Sequence, residues 1–101
     1  METVPISRAR TPIVRCTLRH GDAHGKVEIT FNNPLGIHNS HLLRAYFHSS
    51  RAVHMLGWLI KMWVKVRALA ETGSGCLSKY VWMLLLVFWA QTRSPPLLPN
   101  L

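Results

Sequence analysis

The sequence predicts an α+β fold, a β-hairpin followed by three helices, on three observations. Two short runs, PIVRCTL at 12–18 and KVEITF at 26–31, are rich in β-branched and apolar residues and flank a cluster of turn-formers. Further along, apolar residues recur at helical spacing instead of alternating. Breakers then punctuate that stretch: ETGSG at 71–75, and Pro95, Pro96 and Pro99 near its end.

Taken in order, the hairpin loop RHGDAHG carries Gly21, Asp22 and Gly25, which suits a connection longer than two residues. In KVEITF the two-residue period puts Val27, Ile29 and Phe31 on one face and Lys26, Glu28 and Thr30 on the other. Pro34 in NNP ends the second strand, because proline cannot extend a central ladder. A helix is expected from about His38 to His48, with Leu42, Leu43 and Tyr46 at helical spacing. A longer one should run from Arg51 to Leu69, and a third from near Ser78 to Thr92. The aromatics Trp58, Trp63, Trp82, Phe88 and Trp89 fall at spacings typical of core packing and are read as core, not as an RNA-stacking stripe. The longest strongly apolar run, Tyr80 to Ala90, is well short of the roughly 20 residues of a bilayer span.

With 101 residues the chain is at most one small domain, and its 49% apolar content suits a folded segment. Twelve Lys and Arg against four acids give a formal charge of +8, a surplus that favours polyanions such as RNA, nucleotides or acidic lipid. Cys16 and Cys76 have no metal-site spacing and read as two reduced thiols of an intracellular protein. Neither His20 with His24 nor His38 with His41 is joined by a Cys or carboxylate cluster, which argues against zinc. No apolar signal-peptide core opens the chain, so the cytoplasm or mitochondrion is expected, not secretion.

Several residues invite more than one reading. Taken alone, Glu28 is a solvated charge on a strand face. Asn33 and Asn39, framing NPLGIHN, suit turn and helix-cap positions. Lys61 and Lys65 share one helical face and read as lysines snorkelling from a half-buried helix, or as part of a basic membrane-surface helix. Ser78 suits a helix cap and Tyr80 a packed aromatic, although a helix N-terminus also suits phosphate.

Three spaced blocks change the weight of these readings: VEITFNNPLGIHNSHLLRAY at 27–46, LGWLIKMWVKVR at 56–67 and LSKYVWMLLLVFW at 77–89. Together they resemble the noncanonical poly(A) polymerase and terminal uridylyltransferase family of the DNA polymerase β-type nucleotidyltransferase superfamily. The resemblance runs from about Arg8 to PPLLPNL and covers the middle of such an enzyme. It implies that residues 1–33 are the last strands of a nucleotidyltransferase palm and residues 34–101 the start of a helical, PAP-associated-like central domain.

By the same resemblance, Glu28 matches the third catalytic carboxylate, which holds Mg2+ or Mn2+ and lies beside the attacking 3′-hydroxyl. The family usually has Asp there, so Glu28 reaches farther by one methylene, up to about 1.5 Å. The family's Gly-Ser turn and first two carboxylates are not among these residues and are expected N-terminal to them. The resemblance gives Asn33 the ribose and Asn39 the base. It gives Lys61 and Lys65 the triphosphate, with Ser78 and Lys79 also at phosphate, and stacks Tyr80 on the base. Lys79 stands where the family has the second serine of a Ser-Ser-Tyr triplet. The implied partners are an NTP, UTP favoured over ATP, an RNA 3′ end and a larger RNA-processing complex, with no membrane span. The implied function is transfer of UMP or AMP to RNA 3′ ends; the alternative is an inactive remnant that binds nucleotide, RNA or a related polymerase.

Overall fold

The computed structural model describes residues 1–100 and contains three antiparallel strands followed by three helices, an α+β arrangement. The chain forms two compact units, Met1–His38 and Asn39–Leu101.

In the first unit, strands β1 (Glu2–Ile6), β2 (Ile13–His20) and β3 (Ala23–Thr30) pair in the order β1-β2-β3. Strand β1 is an addition to the expected hairpin. ETVPI carries a proline, yet β1 is an edge strand with β2 as its neighbour, and an edge tolerates a residue without an N–H. The β2–β3 turn is also tighter than expected: His20 pairs with Ala23, leaving Gly21 and Asp22 as a two-residue loop. Gly21, at φ +58°, supplies the left-handed backbone that such a turn takes at its first central position. Cross-strand partners share a face, so Val14, Cys16 and Leu18 stand with Val27 and Ile29, and Arg15 and Thr17 with Glu28 and Lys26. Cys16 alone among the sheet's side chains is buried.

Helix α1 (Pro34–Ser49) begins four residues before the expected His38. Pro34 occupies the first helical position, where its missing N–H costs nothing, and the Asn33 side chain accepts from Gly36 N at 3.3 Å. Ser50 then breaks the chain for a single residue, extended at φ −145°, and caps helix α2 (Arg51–Val66) through Val53 N. Helix α2 stops short of the expected Leu69. Leu69 N bonds Val64 O and Ala68 N bonds Lys65 O, with Ala68 left-handed at φ +53°, so the chain reverses there in a Schellman arrangement. A 3₁₀ turn (Thr72–Ser74) leads to Ser78, which caps helix α3 (Lys79–Thr92) through Val81 N at 3.3 Å.

The core of the second unit lies where α2 and α3 pack. Val53, Leu86, Val87, Ala90 and Leu98 are buried together, with Tyr46 and Phe47 of α1 against them. Trp63 meets Trp82 edge to face at 5.7 Å, and the Trp82 indole N–H is satisfied by Leu69 O. The proline-rich end is part of this core. Leu97 N and Leu98 N both bond Ala90 O, and Gln91 donates to Pro99 O, which folds Leu98 inward.

The aromatic positions depart from expectation. Trp58, Trp63, Phe88 and Trp89 are 61%, 49%, 64% and 46% exposed, and Trp82 is half-buried. Helix α3 carries apolar residues all round, and α2 does so except on the stripe that holds His54, Lys61 and Lys65, whereas packing against each other buries one face of each.

Candidate functional site

The site residues fall in both compact units. In the sheet, the β2–β3 register sets Arg15 opposite Glu28, and the guanidinium donates from Nε at 3.0 Å and Nη2 at 2.8 Å to the same carboxylate oxygen, Oε1. Both side chains are about half exposed, so the pair sits in a solvated environment and Oε2 stays outside it. Thr30 lies two residues beyond Glu28 on the same strand face. It also lines a hollow of about 430 Å³ with Asn32, Asn33, Pro34 and Ile37. The fold thus brings the Asn33 position to the end of the strand face that presents Glu28. Asn33 acts there as a helix cap, with Oδ1 on Gly36 N and its amide nitrogen bordering the space beside Gly36.

Among the described residues, no group of three or more His, Cys, Asp or Glu gathers to hold a metal ion. Glu28 offers a single carboxylate, and these residues by themselves do not fit a two-metal site.

In the helical unit, Tyr80 Oη donates to Asn39 Oδ1 at 3.3 Å. These residues lie 41 apart in the chain, and both are half-buried. Tyr80 is the second residue of α3, and its position follows from the Ser78 cap that starts the helix. The Ser78 hydroxyl accepts from Val81 N and retains its own proton for donation, while Lys79 is exposed at the first helical position. The first turn of α3 contains no acid, so its positive dipole end is unopposed within the helix.

Lys61 and Lys65 are exposed on one flank of α2. The Lys61 ammonium stands 5.8 Å from the Trp58 ring centroid, a cation–π contact. The Trp58 indole N–H donates to His54 Nε2 at 3.2 Å. This flank borders a cleft of about 390 Å³ lined by Ser40, Leu43, Arg44, Phe47, His54, Gly57, Trp58, Lys61 and Met83. Lys61 is the one predicted phosphate residue that reaches it. Arg44, whose sequence reading is left open between RNA contact and solvent, lines it too, as does Trp58, which sequence places in the core. His54 carries no reading from sequence, although 54, 58, 61 and 65 are successive rungs of one helical stripe that includes both lysines.

Comparison with known proteins finds similarity to poly(A) polymerases and terminal uridylyltransferases. A family model described as the central palm domain of mitochondrial-like poly(A) RNA polymerase matches residues 1–48, which span the sheet and nearly all of α1. Poly(A) RNA polymerase cid11 of Schizosaccharomyces pombe is 38% identical over 99 residues, covering 97% of this chain and 20% of that protein. Terminal uridylyltransferase 7 of Homo sapiens is 33% identical over 98 residues, 97% of this chain and 6% of its own length. Poly(A) RNA polymerase GLD2 of Xenopus tropicalis is 33% identical over 94 residues, 93% of this chain and 17% of its own. The chain therefore spans a fifth or less of the curated relatives named here.

Proposed function

The chain belongs to the family of noncanonical poly(A) polymerases and terminal uridylyltransferases, and from that membership we propose that it forms the nucleotide-binding middle of an RNA 3′-terminal nucleotidyltransferase. The complete enzyme adds UMP, or AMP, from an NTP to RNA 3′ ends, with UTP the favoured donor. Residues 1–33 supply the last palm strands and residues 34–101 the start of the helical central domain.

The observation that carries this reading is the Tyr80–Asn39 hydrogen bond, which joins two residues of the nucleoside-binding pattern from separate helices. The phenol can stack on a base, and the amide can read a base edge through its donor and acceptor. Asn33 contacts the ribose by the same amide chemistry once its cap bond is shared. Lys61 and Lys65, exposed on one flank of α2, hold the triphosphate and the charge that develops on pyrophosphate. Ser78 and Lys79 add a hydroxyl and a cation at the positive end of α3.

Glu28 takes the proton of the attacking 3′-hydroxyl, and its carboxylate would be one of the ligands of Mg2+ or Mn2+. Bound metal would stabilise the attacking and leaving oxygens; its remaining ligands lie outside the residues described. Arg15 holds the Glu28 carboxylate through Oε1 and fixes its direction on the strand.

The test is transfer by the complete protein. Glu28→Gln should abolish addition of UMP to an RNA primer, and Lys65→Ala should raise the KM for UTP; unchanged activity in either variant would remove that residue from the site. The Arg15–Glu28 pair and the replacement of a family serine by Lys79 favour a second reading, a protein that binds nucleotide without transferring it. Saturable UTP binding together with no incorporation by the complete protein would select it.

A further inference from the structure

The cleft beside Lys61 is larger in role than one phosphate contact requires. At about 390 Å³ it lies within the roughly 300–1,000 Å³ range of ligand pockets, and two of its lining residues, Arg44 and Lys61, are basic side chains from different helices. None of the chain's four acidic residues lines it, so that positive charge is not neutralised inside the cleft. Trp58 forms part of the wall and is 61% exposed. Its ring is nevertheless held in place, by its N–H on His54 Nε2 and by the Lys61 ammonium near its face. The His54 ring is itself set edge-on against Phe47 at 6.4 Å. An aromatic face oriented at two points but left in solvent, beside two cations, is the chemistry of a base-stacking platform next to a backbone-phosphate grip.

Position in the fold adds the neighbour. Leu43 lies one turn along α1 from Asn39, and Met83 one turn along α3 from Tyr80. The cleft therefore continues the same two helix rows that meet at the Tyr80–Asn39 bond.

We infer that this cleft binds a nucleotide of single-stranded RNA, with phosphate on Arg44 and a base against Trp58, while Lys61 at its edge keeps the triphosphate. The inference rests on the reading of the substrate as RNA and adds Arg44 and Trp58 as RNA-binding residues next to the nucleoside position. Met55, Leu59, Met62 and Val66 form a separate exposed stripe on α2 and take no part in it.

The experiment titrates the 101-residue chain into a fluorescently labelled oligouridylate of about 15 nucleotides, a length matched to single-strand sites, with UTP binding measured in parallel by calorimetry. Arg44 and Trp58 are both exposed, so Arg44→Gln and Trp58→Leu should leave the circular dichroism unchanged. Trp58→Leu should weaken oligonucleotide binding roughly tenfold, and Trp58→Phe should restore most of it because stacking survives. Arg44→Gln should also lower the slope of log affinity against log salt by about 0.7, the loss of one single-strand phosphate contact. Both variants should keep wild-type UTP affinity, whereas Tyr80→Ala should lose it. Absence of oligonucleotide binding by the wild-type chain, or equal binding by all variants, overturns the inference. So does a parallel loss of UTP in Arg44→Gln, which would assign the cleft to the triphosphate. Oligonucleotide binding that depends on Arg44 and Trp58 without any UTP binding would uphold the RNA cleft while removing the nucleotide-site reading.

Discussion

Strand β3 and helix α2 both repeat large apolar side chains at regular spacing, yet α2 buries a face and β3 does not. On α2, Val53, Gly57 and Val64 are buried, Gly57 under Phe47 of α1 and Val53 in one cluster with Leu86, Val87, Ala90 and Leu98. On β3 every residue is exposed, including Val27 at 44% and Ile29 at 42%, and Cys16 is the sheet's one buried side chain. A helix pair can enclose apolar surface between two elements. A single sheet layer needs something laid on its face. The helical unit is therefore predicted to hold most of the folding free energy of this chain, and the sheet to be its less stable part.

The widest separation should come from truncating each unit's most central side chain. Leu86→Ala should cost about 2–5 kcal/mol in urea denaturation followed by circular dichroism, because it leaves a cavity in the helical core. Cys16→Ala should cost much less, since one face of the sheet around it is open; equal losses would break the comparison.

Next in size is Gly57→Ala. A Cβ at Gly57 would stand 2.7 Å from Phe47 Cε1, inside contact distance, so α1 and α2 approach this closely only over a glycine. Forcing the ring aside should cost about 1–3 kcal/mol and is checked by the same denaturation. A stability equal to wild type would mean that Phe47 is not seated against α2.

Smaller still are the caps. Ser50→Ala and Ser78→Ala each remove a side-chain acceptor from a helix N-terminus and should each cost about 1 kcal/mol. The smallest effect belongs to the sheet. Arg15→Ala removes a half-exposed ion pair and should change stability by less than about 1 kcal/mol, with the change shrinking further at high salt. A larger loss would show that the sheet depends on this pair in place of a core.

Much of the backbone was legible in the residues. The three helices, the loop at 71–75 and the end of α3 before its prolines follow from apolar spacing and breakers, and Ser78 announced its own cap. The start of α1 is less legible, because a proline that ends a strand also serves here as the first residue of a helix. Strand β1 is hard to see in the sequence for a related reason. ETVPI gains its strand character by pairing with β2, and pairing is not written in a short segment carrying a charge and a proline.

The candidate site divides in the same way. The lysine stripe on α2 and the serine cap of α3 are local facts, set by helical period and by the need of free backbone N–H groups for a partner. The meeting of Asn39 with Tyr80, the neutralisation of Glu28 by Arg15 and the cleft over Arg44 and Trp58 join residues distant in sequence. So do the exposure of Trp58 and Phe88 and the burial of Leu98 within a proline-rich tail. Period and propensity determine how a segment folds, because those forces act within a few residues. Which face of it meets protein and which meets solvent was decided only by the packing of one element on another.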